Sequence, residues 1–359
     1  CKTHSIAYLF HLQRVHESLS WQLLALHNVH FYMELMRTMR AHILADTWLP
    51  FYHAQRHVLD ARDSYGTPAR LDTRALRRRL KRRRGRYEVV VREDAGYIRD
   101  TVSGEVMHPI QDPAQEARSL YVEQSRLLAR LQAPDEAPLV VWDVGLGAAA
   151  NAMAAILSIE EPRTAPLARR LALISFENDT DSLELALDHT RWFKHLRHAA
   201  PRTLLAEGRW SSTAAGIDWL LMSGDFASQK FAAAPPDIIF FDPFSFKTDA
   251  ALWTLSAFRE LGLLCSLRPV ELFTYTSSTR IRAAMLAAGF HVAKGRGTGS
   301  RAETTIGLSP HAAAGPHEHE LLGTEWLQKW RRSDAQAPFG STAEDDSWRE
   351  AVSLHPQFH

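Results

Sequence analysis

Cysteine is almost missing: the 359 residues include only Cys1 and Cys265. That excludes a disulfide scaffold and points to a reducing, cytoplasmic setting. No apolar run approaches the roughly 18 residues that span a bilayer, so no membrane association is expected. Nor does a charged-then-apolar signal segment open the chain. No glycine precedes Gly66, which suits a compact helical segment at the start. The formal net charge is only +1, so local concentrations of charge are more informative than the total. Hydrophobic content of 45% and charged content of 23% describe a globular chain. Its length predicts two domains, or one with appendages, at roughly 100–200 residues each. Because it begins with Cys1 and not methionine, the chain reads as a fragment.

Residues 1–62 read as helices. Ala7, Leu9, Phe10, Leu12 and Val15 recur at helical spacing, as do Leu23, Leu24, Leu26, Phe31, Leu35 and Met39. Residues 63–86 form a boundary, with turn chemistry at Asp63–Pro68 and a basic run from Arg77 to Arg86 that includes Arg82, Arg83 and Arg84. Such a run is either a solvated linker or a sequence-blind grip on a phosphate backbone. From Tyr87 the pattern changes to a hairpin, Tyr87–Arg92 and Tyr97–Val102 about Asp94-Ala95-Gly96, followed by a helix from about Pro113.

The chain is organised around Leu139-Val140-Val141-Trp142-Asp143-Val144-Gly145-Leu146-Gly147. An apolar run ending in an acidic residue and Gly-x-Gly reads as a buried parallel strand turning sharply into a helix. The glycines let backbone N–H groups approach a ligand. Strands and helices alternate from there, the pattern of a parallel sheet flanked by helices. Strands are expected at Leu139–Asp143, Leu171–Glu177, Thr203–Ala206, Asp237–Asp242, Val270–Thr276, Phe290–Lys294 and Thr304–Leu308. Helices are expected near 147–159, 181–190, 213–222, 250–262 and 279–288. Residues 311–359 read as a loosely packed polar tail with one helical piece around Trp326–Trp330.

In such sheets ligands sit beyond the carboxyl ends of the strands, where strand order reverses. That selects Asp143, Gly145, Gly147, Glu177, Asp225 and Asp242–Phe244. Glu177 ends the second strand and can accept ribose hydroxyls, or cap the next helix. Asp225 can accept an adenine amino group, or cap a turn. Asp242-Pro243-Phe244 ends a strongly apolar strand. There a carboxylate and the Pro243 carbonyl can hold an amino group, and the Phe244 ring can stabilise the positive charge developing on nitrogen.

Two resemblances sharpen these readings. Ala7-Tyr8-Leu9, His11-Leu12, Glu17, Leu23-Leu24, His27-Asn28, Phe31-Tyr32 and Leu35-Met36-Arg37 resemble the C-terminal end of bacterial-type tRNA-guanine transglycosylases, enzymes of the queuosine pathway. That family holds a structural zinc with three cysteines and a later histidine. Cys1 and His27, 26 positions apart, match its last cysteine and its histidine. Two ligands cannot close a four-coordinate site, so zinc is expected only if the missing cysteines are supplied, for example by a partner carrying the missing transglycosylase segment. Transglycosylase activity is not expected.

Residues 87–310 resemble the S-adenosylmethionine (SAM)-dependent methyltransferase domain of the MnmC-like family. Asp143–Asn151 matches that family's glycine loop, with Ala149 where the family has glycine. Ile174-Ser175-Phe176-Glu177 and Asp242-Pro243-Phe244-Ser245…Trp253 match two further motifs, with Pro243 replacing a glycine. Gly104-Glu105-Val106-Met107-His108 matches a stretch of the short family members and places Met107 and His108 at the cofactor cleft. The resemblance implies a Rossmann-like α/β sheet with helices on both faces, preceded by the β-hairpin and the all-helical N-terminal piece. It implies SAM as cofactor, tRNA as partner, and N-methylation of an aminomethyl group on a wobble uridine or similar base. In that reading Asp242 and Phe244 are catalytic, Pro243 and Arg82–Arg84 contact substrate, and Asp143, Gly145, Gly147, Glu177 and Asp225 bind cofactor. The alternative is a tRNA-binding accessory of a transglycosylase whose methyltransferase-like domain is inert.

Overall fold

The computed structural model describes residues 4–15, 17–59, 82–92, 95–107, 113–298, 301–342 and 346–359. The chain divides into two compact units, residues 1–76 and 77–359. In the first, helices run over Ile6–Arg14, Ser18–Leu44 and Trp48–Leu59, as the spacing of apolar residues predicts. Ser5 starts the first of them, its Oγ accepting from Tyr8 N at 3.1 Å. Among the described residues no helix is long and apolar enough to cross a membrane.

The second unit opens on a small antiparallel sheet of β1 (Arg83–Arg84), β2 (Tyr87–Arg92) and β3 (Ala95–Asp100). The end of the expected basic linker is therefore a strand, with Arg84 opposite Tyr87. The main sheet has β4 (Leu139–Val144), β5 (Leu171–Glu177), β6 (Arg209–Ser212), β7 (Ile217–Ser223), β8 (Ile238–Phe241), β9 (Glu271–Thr274), β10 (His291–Thr298) and β11 (Arg301–Leu308). Their order is β10-β11-β9-β8-β4-β5-β7-β6. The five central strands are parallel, while β6, β10 and β11 join antiparallel. From β4 the chain builds outward through β5 and β7 on one side, then returns to lay β8 and β9 on the other. The reversal between β4 and β8 leaves a crevice at their carboxyl ends.

Alternation along β4 explains why helices cover both faces. Leu139 and Val141 belong to one buried cluster, Val140, Trp142 and Val144 to the other. The buried Trp142 indole is satisfied by Ala234 O at 2.8 Å.

Three expectations are corrected. Thr203–Ala206 is not a strand but lies in the helix Ala200–Glu207, which has Pro201 in its first turn and ends on Gly208 at φ +72°. Residues 213–222 are not a helix. Ile217 and Trp219 are buried and Asp218 and Leu220 exposed, a period of two that makes β7. The third correction concerns the tail, which is not loosely packed. Leu322, Leu327, Trp330, Trp348, Val352 and Phe358 are buried in the cluster beneath Trp142. The Gln357 side chain accepts from Val292 N at 2.7 Å and donates to Leu322 O at 2.9 Å, extending the grip to β10. The aromatic residues are spaced too widely along the chain to show one periodic face, so local pattern hides their burial. Trp330→Ala is expected to cost about 3–5 kcal/mol through the cavity it leaves, read as a lowered urea midpoint at unchanged slope.

Candidate active site

The crevice at the strand tips is a cavity of about 740 Å³. Val144 at the end of β4 and Gly145 just after it, Phe176 and Glu177 at the end of β5, Asp225 after β7 and Asp242–Phe244 after β8 all line it. Met107 reaches it from the segment after β3. His108 lies outside the described residues. The tips of four parallel strands thus converge on one space, because residues at the same level of neighbouring strands end together.

The turn after β4 is set by backbone geometry. Gly145 has φ +88°, and a Cβ there would stand 2.8 Å from both Asp242 O and Pro243 Cα. Only glycine allows the two loops to touch. Gly147 N donates to Glu177 Oε2 at 2.9 Å, and Asn178 N and Asp179 N donate to Glu177 Oε1 at 2.9 and 3.1 Å. Burial raises the pKa of the Glu177 carboxyl, while these three N–H groups oppose that shift. A carboxylate has about four lone-pair sites, so Glu177 keeps room for one further donor. Ser182 Oγ donates to Gly147 O at 3.1 Å, and His195 Nε2 contacts Ala148 O at 2.9 Å, fixing the far side of the turn.

Ala149 precedes the helix Ala150–Glu160 at φ +56°, a left-handed conformation in a buried residue that carries a Cβ. That strain is about 1–2 kcal/mol, and a glycine's extra freedom in the unfolded chain returns about 0.4–1 kcal/mol of it. Ala149→Gly is accordingly expected to stabilise the unit by about 0.5–1 kcal/mol, checked as a higher thermal midpoint.

The loop after β8 carries the other half of the site. Asp242 Oδ2 accepts from Asn151 Nδ2 at 2.7 Å, and the buried Tyr121 hydroxyl is kept neutral by burial and by the neighbouring Asp242 carboxylate. Pro243 O accepts from Tyr275 Oη at 3.3 Å, which leaves that carbonyl one lone pair. Phe244 O accepts from Trp253 Nε1 at 2.5 Å, the tryptophan nine positions on. The Phe244 ring is parallel to Tyr87, at 6.4 Å between centroids. Glu105 clamps the same loop: its carboxylate accepts from Ser245 N at 2.9 Å, Ser245 Oγ at 2.8 Å and Thr248 Oγ1 at 2.7 Å.

Several sequence-predicted residues lie elsewhere or have additional duties. Asp143 does not line the cavity; it is buried within β4 and accepts from Ser175 Oγ at 2.7 Å. Trp219 Nε1 donates in turn to Ser175 Oγ, so this carboxylate closes a polar chain through the sheet. Asp225 does line the cavity and also caps the turn Phe226–Gln229, accepting from Ala227 N at 3.2 Å. Arg82 stacks over Trp192 at 4.7 Å, Arg83 lies 3.4 Å from Glu88, and Arg84 pairs with Asp181 and Glu184. None of the three lines the cavity. Cys1 lies outside the described residues and His27 is exposed on its helix. Among the described residues, no group of three or more His, Cys, Asp or Glu could hold a metal.

Four residues of the site went unseen in the sequence. Tyr121 reads as the apolar side of a helix, and Asn151 as the end of the glycine loop. Glu105 falls within a recognised stretch without a role, and Asp249 stands just before the helix expected near 250–262, in no motif.

Two family models match the chain. The model of queuine tRNA-ribosyltransferase covers residues 1–59, and that of an S-adenosyl-L-methionine-dependent methyltransferase covers residues 189–310. The queuine tRNA-ribosyltransferase of Jannaschia sp. (strain CCS1) is 46% identical over 59 residues, 16% of this chain and 16% of that protein. The tRNA 5-methylaminomethyl-2-thiouridine biosynthesis bifunctional protein MnmC of Aeromonas hydrophila subsp. hydrophila is 27% identical over 234 residues, 60% of this chain and 34% of that protein. The chain thus spans about a sixth of the first relative and about a third of the second. The solved structure of MnmC2 from Aquifex aeolicus shares the fold, with a TM-score of 0.53 at 18% identity, covering 85% of this chain and 96% of that one. Both resemblances read from the sequence therefore hold. The methyltransferase match takes in Asp225 and Asp242–Phe244 and begins beyond Gly145, Gly147 and Glu177.

Proposed function

We propose that residues 77–359 form a SAM-dependent N-methyltransferase acting on an amino group of a modified tRNA base, with an aminomethyl group on a wobble uridine as the leading candidate. One observation carries this reading. The Gly145–Gly147 turn with Glu177, and Asp242-Pro243-Phe244, open onto one cavity at the point where strand order reverses. The residues suit a nucleoside-bearing sulfonium. The turn has no side chain where a Cβ would meet the opposite loop, Glu177 keeps a lone pair for a ribose hydroxyl, and Asp225, which lines the same cavity, can accept from an adenine amino group. When bound, SAM supplies an electrophilic methyl group on a positively charged sulfur.

The protein's own part is to position and to exclude water. Asp242, held by Asn151, accepts an N–H of the amine and aims its lone pair. The Pro243 carbonyl offers a second acceptor. The Phe244 ring, fastened through its own carbonyl to Trp253, faces the charge that develops on nitrogen. Seven carboxylates (Glu105, Glu116, Glu177, Asp179, Asp225, Asp242 and Asp249) and one arginine, Arg86, line the cavity, a composition that favours cationic groups over phosphate. The tRNA backbone is then gripped outside it, by the basic run through Arg84, where Arg83 and Arg84 exchange carboxylate partners for phosphate. The similarity of residues 1–59 to a tRNA-modifying enzyme supports tRNA as the partner.

Incubation with tritiated-methyl SAM and bulk bacterial tRNA, followed by digestion to nucleosides, tests the reading. Label is expected in one modified nucleoside. SAM binding without any transfer to tRNA would instead favour a non-RNA amine, and no SAM binding at millimolar ligand would favour the inert accessory.

A further inference from the structure

The loop after β8 brings two carboxylates to the cavity, Asp242 and Asp249, in different surroundings. Asp242 accepts from Asn151 Nδ2 at 2.7 Å, with the buried Tyr121 hydroxyl nearby. That amide occupies a lone pair of Asp242 and fixes the orientation of its carboxylate. Asp249 stands at the start of Ala250–Trp253, yet its side chain makes no capping bond there. It turns back instead, Oδ2 accepting from Phe244 N at 2.9 Å. This ties it to the backbone of the residue whose ring faces the reacting nitrogen.

We propose that Asp249 is the proton acceptor that converts the substrate's ammonium group into the attacking amine. The inference rests on the N-methyltransferase reading above. An alkylamine is mostly protonated near neutral pH and has no lone pair to offer. In the step, one N–H bond breaks and its electron pair stays on nitrogen. The proton forms an O–H bond on Asp249 and passes to solvent after turnover. Asp242 orients the amine and Asp249 discharges it, two carboxylates given different tasks by their environments. The surroundings of Asp249 suit a base. Burial and the carboxylates Glu105 and Asp100 push its pKa up to about 6, against the Phe244 N–H and Arg86, and Glu177 at the tip of β5 adds to the negative field. A base is most effective when its pKa lies near the working pH.

Asp249→Asn keeps an oxygen for Phe244 N and removes the base. One readout needs no ligand. A carboxyl with a raised pKa in the native state destabilises the protein above about pH 6 and has no such effect below about pH 4, where both states are protonated. Urea midpoints should therefore show Asp249→Asn more stable than wild type at pH 8 and equal to it below pH 4. With tritiated-methyl SAM and bulk tRNA, the variant should react about 100-fold more slowly at pH 7, with SAM affinity by calorimetry unchanged. The wild-type fall in rate below pH 6 should give way to a rate that climbs with pH towards the amine's own pKa. A variant within about twofold of wild type that keeps the limb near pH 6 overturns the proposal while leaving the methyltransferase reading intact. A wild-type protein that transfers no methyl group overturns both.

Discussion

Asp242→Ala is expected to lower methyl transfer by about 10²–10³-fold while SAM affinity stays within a few-fold of wild type. The asymmetry follows from what Asp242 touches. Its carboxylate lies on the β8 side of the crevice, where it accepts from Asn151 near the Tyr121 hydroxyl. The backbone that shapes the turn after β4 does not depend on it. In the proposed reading, truncation removes the acceptor that aims the nitrogen lone pair, an interaction that strengthens as the N–C bond forms. It therefore acts on turnover more than on binding. The variant also strands buried donors, at a cost of about 1–3 kcal/mol, so kinetics belong at a temperature where its circular dichroism matches wild type. Equal loss of cofactor affinity and turnover would show that Asp242 mainly holds the loop in place.

The parts of this molecule legible in sequence are those written in short-range pattern. The apolar run Leu139–Trp142, with its acidic and Gly-x-Gly ending, and the run Ile238–Phe241 announce buried strands because every position of each run is apolar whichever face it meets. The tips of those strands give the site, and Gly145, Gly147, Glu177, Asp225 and Asp242–Phe244 do meet at one cavity. Where sequence misled, tertiary contacts decide. Asp143 follows the same pattern as a ligand-binding acid, yet Ser175 on the neighbouring strand takes its carboxylate inward. The stretch 213–222 contains enough apolar residues for either period, and pairing with β5 selects the strand. Glu105 and Ser245 are 140 positions apart, so no local signal could have joined them. Tyr121 was hidden for another reason: its ordinary place on the apolar side of a helix conceals its position at the cavity, while Asp249 lies in no motif at all.

Gly145→Ala should damage both halves of the site at once. The residue sits at φ +88°, where a side chain is strained at about 1–2 kcal/mol, and its new Cβ would lie 2.8 Å from Asp242 O and Pro243 Cα and 2.9 Å from Pro243 N. These are backbone atoms of the opposite loop, not the end of a flexible side chain. They cannot yield without moving the peptide that carries Asp242, so overpacking adds about 1–3 kcal/mol. The expected result is a stability loss of about 2–5 kcal/mol with SAM affinity and turnover both reduced by about 100-fold or more. Gly147→Ala is the control. At φ +52° it carries similar strain, but its Cβ would meet only the Met107 thioether, at 3.2 Å. That side chain can rotate away, so Gly147→Ala should cost about 1–2 kcal/mol, and Met107→Ala in the same protein should return part of any lost affinity. If calorimetry found SAM bound by Gly145→Ala as tightly as by wild type, the contact between the two loops would not be what shapes the cofactor's seat. The cavity would then have to be occupied from the Tyr121 and Tyr275 side instead.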